Sequence, residues 1–508
     1  MLGNIIITNV WWEWVMGFVL RLMVLLVMIF LVVGCDGRQV DGDRPGGIDW
    51  FEGEVDEAFA LAEQQDKPIF LYWGAAWCPP CQELKGTIFK QQAFIDQSRL
   101  FIPVYLDGDT EQAQLYGEKF SVYGYPSVVV FSPQGAEITR IPGGMDIQRY
   151  LSVLELAINA ITPVKKLVAA VKQGDNISSA DWKLLAFYAW SQDRGKVLAA
   201  DVDDQARYGL FKLLAVTCPA DLVLAKSRLQ MLAIEHWSVL DTEDKTNKAL
   251  YLNQFTSILS DPALSNANSS SIIYGAADLS AALTEGAQLI ELRVQLSEHM
   301  ASISTDSEFN LPLRLSALSG WVALQNASLA EDETLADDKL AWISQRVSKG
   351  LGEADSYEYH SAVNTLSQTL YDAGLVEDAK LMLVNSLTIT KHPYYLMSDL
   401  GLMEAQLGNN QQSLDWYKKA WDSSKGPATR IQWGVNYVVN LLELAPEDIT
   451  GISLSYKTII AELAEQNNGL HQRTAVRMGN LSDALESWAD SPAKAQIFAE
   501  FKEAISAL

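Results

Sequence analysis

The feature that most constrains this chain is an apolar run that ends on two closely spaced cysteines. Ile69-Phe70-Leu71-Tyr72-Trp73 is followed at once by Gly74-Ala75-Ala76-Trp77-Cys78-Pro79-Pro80-Cys81. A short continuous run rich in aromatic and branched residues, set off by Asp66-Lys67-Pro68, reads as a buried strand. Ahead of it, 55–65 places Val55, Phe59 and Ala62 on one face of a helix. Two cysteines separated by two residues suit half of a zinc site or a redox pair. A zinc site needs two further ligands at suitable spacing. The five histidines (His236, His299, His360, His392 and His471) all lie far downstream, and no second Cys-x-x-Cys exists. No metal and no cofactor are therefore expected. With only four cysteines in 508 residues, a disulfide scaffold is excluded and each cysteine needs its own explanation.

The α/β pattern continues beyond the cysteines. A strand is expected over 101–106 and a helix over 111–120. Val122-Tyr123-Gly124-Tyr125-Pro126 then leads into Ser127-Val128-Val129-Val130-Phe131. Ser132-Pro133-Gln134-Gly135 reads as a hairpin turn before a closing strand over 136–141, and Gly143-Gly144 precedes an amphipathic helix over 147–160. With these motifs, residues 48–162 resemble the thioredoxin superfamily. The context Lys67 to Cys78 is more similar to its extracytoplasmic members, including the periplasmic domain of the disulfide-reducing membrane transporter, than to cytosolic thioredoxin.

The resemblance covers less than a quarter of the chain and implies a thioredoxin fold there, with Cys78 and Cys81 as the catalytic, redox-active pair and a cis-proline at Pro126 facing them. It implies that Cys78 is an exposed nucleophile at a helix start, where unpaired N–H groups and the helix dipole stabilise a thiolate. A thiol pKa lowered from about 8.5 to about 7 leaves about half of the group ionised at neutral pH. Cys81, one turn later, would resolve the mixed disulfide. Trp77, Pro79, Tyr125 and Pro126 would contact the partner chain, Tyr125 through its backbone. Pro80 suits the first helical turn, where a missing N–H costs nothing. One position departs from the pattern. Six residues before Cys78, where thioredoxins carry a buried Asp that relays the resolving thiol's proton, this chain has Tyr72. Glu83 is a candidate helper, the alternative being a solvated helix residue.

Apart from Arg21, residues 15–34 are apolar, and the densest part, 22–33, has the length of a signal-peptide core. The stretch stops at Val32-Val33-Gly34-Cys35, which resembles a bacterial lipobox and implies lipidation of Cys35. An uncleaved N-terminal anchor is the alternative. Met16 is a plausible start, and Asp36 resembles the inner-membrane retention signal of enterobacterial-type lipoproteins. Residues 36–47, rich in Gly and Asp, read as a flexible tether. The expected layout is a signal peptide or anchor over 1–35, a linker over 36–47, a thioredoxin-like domain over 48–162 and an all-α region over 163–508.

In that last region helical stretches such as 164–173, 181–190, 222–237, 274–296 and 311–324 alternate with short Gly, Asp, Asn or Pro punctuation. Leu366 and Leu400, Gly374 and Gly408, Ala379 and Ser413, Leu383 and Tyr417, Ser386 and Ala420, and Pro393 and Pro427 are each offset by 34 residues. This resembles the tetratricopeptide repeat, clearest over about 360–427. The match is partial: the repeat's leading aromatic position is Val363 or Met397. A further pair of helices is expected over 431–444 and 453–463. Cys218 has no obvious partner and reads as a structural thiol, a transient disulfide with Cys78 being the alternative.

The formal charge of −25, from 63 Asp+Glu against 38 Lys+Arg, argues against nucleic-acid binding, which draws its affinity from basic residues. The expectation is a membrane-tethered thiol:disulfide oxidoreductase on the periplasmic side of a bacterial inner membrane, more a reductase than an oxidase. Its partners would be disulfide-containing envelope proteins, recruited partly by the helical region, and a membrane-embedded electron donor. The alternative is an envelope interaction scaffold in which the thioredoxin fold is subordinate.

Overall fold

The computed structural model describes residues 45–240, 247–330, 333–466 and 469–508. The expected leader, Cys35 and most of the tether lie outside them. The chain divides into two compact units, 1–44 and 45–508, and the second holds all described residues. Among the described residues no helix is long and apolar enough to cross a membrane.

The apolar run forms β1 (Ile69–Gly74), every residue of which is buried. It lies inside a four-stranded sheet, paired parallel with β2 (Ile102–Asp107) and antiparallel with β3 (Ser127–Phe131). β4 (Glu137–Ile141) pairs antiparallel with β3 at the other edge, after a turn in which Gly135 takes φ 79°. Side chains alternate across a strand, and β1 shows it. Ile69, Leu71 and Trp73 join α1 (Val55–Gln65) and its neighbours on one face, while Phe70 and Tyr72 face a second cluster that includes Phe89, Phe94 and Tyr150. α2 (Pro79–Leu84) leaves the end of β1 and runs on through a π-type turn, and α3 (Gln92–Gln97), α4 (Glu111–Lys119) and α5 (Ile147–Asn159) complete this part.

Helices then follow without strands among the described residues: α6 (Val164–Gln173), α7 (Ser179–Ala186), α8 (Asp204–Thr217), α9 (Val223–Ser238), α10 (Lys248–Ser260), α11 (Pro262–Ala267), α12 (Ser269–Leu283), α13 (Gly286–Thr305) and α14 (Leu311–Asn326). The series continues with α15 (Asp337–Glu353), α16 (Glu358–Asp372), α17 (Val376–Ser386), α18 (Pro393–Gln406), α19 (Asn410–Ser423), α20 (Pro427–Leu444), α21 (Ile449–Ala464), α22 (Gln472–Trp488) and α23 (Pro492–Ser506). Two expected helices differ. The stretch 274–296 is broken, because Thr284 and Glu285 are extended and Gly286 takes φ 59°; an apolar stripe that resumes at once hides such a break. The stretch 181–190 stops early, because Ala189 leaves the helix to donate its N–H to the Arg140 carbonyl of β4. The 34-residue offset falls on equivalent places of successive hairpins. Gly374 and Gly408 turn α16 into α17 and α18 into α19 with φ 84° and 79°. Ala379 and Ser413 are fully buried, and the Ser413 hydroxyl donates to the Gly401 carbonyl at 2.7 Å.

Candidate redox site

The local sequence builds the site directly. Where β1 ends, the Cys78 N–H donates to the Ala75 carbonyl at 3.2 Å, and the Gln82 side chain donates to the Ala76 carbonyl at 2.7 Å. Cys78 is the N-cap of α2, with Pro79 and Pro80 in the first turn. The Cys81 N–H points back at the Cys78 carbonyl (3.1 Å) and Sγ (3.3 Å). The two cysteines are joined in a disulfide, with Cα atoms 5.2 Å apart. Tyr125-Pro126 is a cis peptide. Ser127 pairs with Trp73, so this loop stands at the same end of the sheet as the cysteines. The Pro126 carbonyl accepts from Gln192 at 3.2 Å, and the Tyr125 hydroxyl accepts from Gln114 at 3.3 Å.

The expectation of an exposed Cys78 is corrected. Cys78 is 3% exposed, Cys81 0% and Trp77 6%. The cover comes from the same chain, more than 280 residues downstream. His360 of α16 donates its Nε2–H to the Trp77 carbonyl at 3.1 Å while its Nδ1 accepts from the Thr390 hydroxyl at 2.9 Å. Burial holds this imidazole neutral, at a pKa of about 4. The Trp77 ring stacks on Tyr395 of α18 (6.3 Å, 22°) and meets Trp433 of α20 edge-on (6.4 Å, 76°). The Arg473 guanidinium of α22 lies 5.0 Å from the Trp77 ring and 4.8 Å from that of Tyr125. Asp109 accepts from the Thr429 N–H at 2.7 Å and its hydroxyl at 2.8 Å. Its carboxyl is pushed up by burial and drawn back by these bonds, by the Arg473 charge and by the Trp77 indole. Further out, Lys90 pairs with Asp355, and His471 meets Glu118 at 2.9 Å.

Tyr72, which stands where the relay Asp would be, and the candidate helper Glu83 differ in place. Tyr72 is fully buried among aromatic rings, 4.9 Å from Phe89 and 5.3 Å from Tyr105. Glu83 is not a solvated helix residue: burial, then the facing Glu358 of α16, push its carboxyl up to about 7. Cys218 lies apart, 2% exposed at the end of α8, and burial raises its thiol above the usual range. His360, Tyr395, Thr429, Trp433 and Arg473 escaped the sequence reading. Each stands on an ordinary amphipathic helix, where an aromatic or a histidine looks like any other core residue. Trp77, Pro79, Tyr125 and Pro126 do gather around the cysteine pair, with Trp77 and Tyr125 held by the helices.

Residues 55–158 match the family model of the thioredoxin-like domain. The chain is 35% identical over 100 residues to the thiol:disulfide interchange protein DsbD of Yersinia pestis (strain Pestoides F), covering 19% of this chain and 17% of that protein. It is 31% identical over 110 residues to the protein of the same name from Ralstonia nicotianae, covering 21% and 18%. The solved structure of the DsbH oxidoreductase aligns with a TM-score of 0.20 and 21% identity, over 24% of this chain and 94% of that one. The chain thus spans under a fifth of the length of these curated relatives. Residues 55–158 are a thioredoxin-like domain. In sequence this domain is similar to a part of the thiol:disulfide interchange proteins, and a long all-helical region follows it.

Proposed function

We propose that the protein is a thiol:disulfide oxidoreductase of the bacterial cell envelope, working as a reductase of protein disulfides. One observation carries the reading: Cys78 at the N-cap of α2, disulfide-linked to Cys81 in its first turn, at the sheet end beside the Tyr125-Pro126 loop. In the reduced enzyme the Cys78 thiolate, favoured by the Cys81 N–H aimed at its Sγ and by the positive end of the helix dipole, attacks one sulfur of a partner disulfide. A Cys78–partner disulfide forms and the other partner sulfur leaves as a thiolate. Cys81, once deprotonated, attacks the Cys78 sulfur, which closes the Cys78–Cys81 disulfide and releases the second partner thiolate. The partner gains two electrons and takes up two protons. Two electrons from a membrane-embedded dithiol donor then restore the pair. Trp77, Pro79, Tyr125 and Pro126 form the partner-facing wall.

The burial of Cys78 adds a requirement. Helices α16, α18, α20 and α22 must part from the cysteine loop before a protein disulfide reaches the sulfur. The tetratricopeptide-like hairpins that supply this cover are, in the same reading, a recruiting surface. Lipidation at Cys35, or an uncleaved anchor, keeps the protein on the periplasmic side of the inner membrane. The relatives' name, thiol:disulfide interchange protein, agrees with the chemistry. Insulin-disulfide reduction by the wild type and by Cys78→Ser tests the reading. Turnover in the wild type that is lost in the variant is expected; no turnover in either overturns it.

A further inference from the structure

Next to the redox site lies a cavity of about 780 Å³ bounded by Tyr123, the segment 190–200, α8, α9 and α22. This falls within the roughly 300–1,000 Å³ of a ligand site. Its charge is unusual for an acidic chain. Arg194, Arg207, Arg473 and Arg477 all line it, and among the described residues none of them is ion-paired with a carboxylate. Arg194 stands 5.9 Å over the Tyr123 ring, Arg207 donates to the Val202 carbonyl at 3.3 Å and Arg473 donates to the Gln432 side chain at 2.6 Å. Arg477 is held below its usual range by burial and by the charge of Arg473.

The two carboxylates in the lining are engaged elsewhere. Asp193 accepts from the Tyr188 hydroxyl and from the N–H groups of Val197 and Leu198 at 2.8–3.0 Å. Glu235 turns to Ser271 and Arg228. His236, stacked on Phe211 at 4.7 Å, is held below its usual range by burial and by the Arg207 charge. Gathered guanidinium groups repel one another, and an arginine matches a carboxylate with two parallel hydrogen bonds. The arrangement is therefore complementary to a ligand carrying several carboxylates. Position says which kind. Arg473 lines the cavity and also touches the rings of Trp77 and Tyr125, one residue from Cys78 and one from Pro126. Arg473 thus links the cavity wall to the cover of the disulfide, which a chain seated in the cavity reaches once that cover has parted.

We propose that this cavity docks an acidic segment of the disulfide-bearing partner, whose carboxylates seat on Arg194, Arg207, Arg473 and Arg477. The identity of the occupant rests on the oxidoreductase reading; the site itself does not. The test is calorimetric binding to the full chain of capped hexaglutamate, with hexaglutamine, citrate and oxidised glutathione as the other probes. Hexaglutamate is expected to bind at least tenfold more tightly than hexaglutamine. It should weaken as salt rises, because the screening length falls to about 8 Å at 0.15 M. Arg194→Glu and Arg477→Glu should each weaken it about tenfold, while Cys78→Ser should leave it unchanged. Arg194 is exposed, so its variant keeps the test alive if Arg477→Glu fails to fold. Equal binding of the two hexapeptides, or no loss in Arg194→Glu, overturns the site. Binding of citrate or oxidised glutathione with the same arginine dependence, but not of hexaglutamate, overturns a polypeptide occupant. Failure of the redox reading shows separately, as hexaglutamate binding intact in a protein that does not reduce insulin.

Discussion

The helices meet the thioredoxin-like domain on two sides, and the two contacts are built from different material. Behind the sheet, Phe70, Val128, Val130, Tyr150 and Leu154 belong to the same buried cluster as Leu167, Trp182, Leu185, Phe211 and Leu214 of α6–α8. On the other face of the sheet, in register with Val129, Arg140 is 1% exposed and also ties the two regions by donating to the carbonyls of Phe120, Ser121 and Gln192 while pairing with Glu137. At the cysteine end Ala75, Trp77, Cys78 and Cys81 join a buried cluster with Tyr394, Trp421, Ile431 and Trp433, and the contact is completed by the Thr429–Asp109 bonds, the His360–Trp77 bond and ion pairs at the rim. A continuous apolar core is lost together or not at all, since its stabilisation scales with the whole area removed from water. Hydrogen bonds worth about 0.5–1.5 kcal/mol each, and exposed ion pairs worth about 0–1 kcal/mol, can be exchanged for water one by one. The rear contact extends the domain's core; the front contact joins the cysteine loop to a second buried cluster, with polar bonds at its rim, and the proposed function requires that contact to open.

The largest expected effect tests the rear. Phe211→Ala removes a fully buried ring that packs edge-on against Trp190 at 5.0 Å. It should cost about 3–5 kcal/mol, with the sheet and α6–α9 losing structure in one denaturant transition. A thioredoxin-like domain that unfolds as before would show that the rear is a docking surface after all. At the front, Trp433→Ala deletes ring contacts to Trp77, Tyr394 and Tyr395. Each is worth about 0.5–1.5 kcal/mol, so reduction of the Cys78–Cys81 disulfide by a water-soluble phosphine should speed up about tenfold or more, at about 1.4 kcal/mol per decade. An unchanged rate would mean that the cover does not limit access.

The smallest effect is a pH dependence of opening, in which two groups pull in opposite directions. His360 is held neutral, at about 4 against an ordinary 6.5, so the closed form loses ground as pH falls through that window and the opened histidine takes up a proton. Glu83 is held protonated, at about 7 against 4.5, so the closed form loses ground as pH rises through that window and the opened carboxyl ionises. In Glu83→Gln, phosphine reduction should slow from pH 4.5 to 6.5 with no later rise. In His360→Gln it should quicken from pH 4.5 to 7. Matching profiles in the two variants would remove both groups from the opening step.

What the sequence made legible follows the same division. β1, the cysteine pair and the Tyr125-Pro126 loop are written in neighbouring residues, and Gly374 and Gly408, offset by 34 residues in the sequence, stand at hairpin turns in the structure. The cover was not legible. Tyr395, Trp433 and Arg473 reach Trp77 from over 300 residues away, and periodicity says which face of a helix is apolar but not what it will touch. The exposed Cys78 was an expectation for a domain standing alone. Glu83, open between a helper and a solvated residue in the sequence, is half-buried for the same reason: its neighbour Glu358 belongs to α16.

The central claim is that Cys78, once uncovered, exchanges with a partner's disulfide. Trapping with Cys81→Ala in envelope extracts tests it most directly, because a mixed disulfide that cannot be resolved accumulates. Adducts are expected that disappear when Cys78→Ser is added to the same chain. Adducts that survive that second change, or none at all, would contradict it.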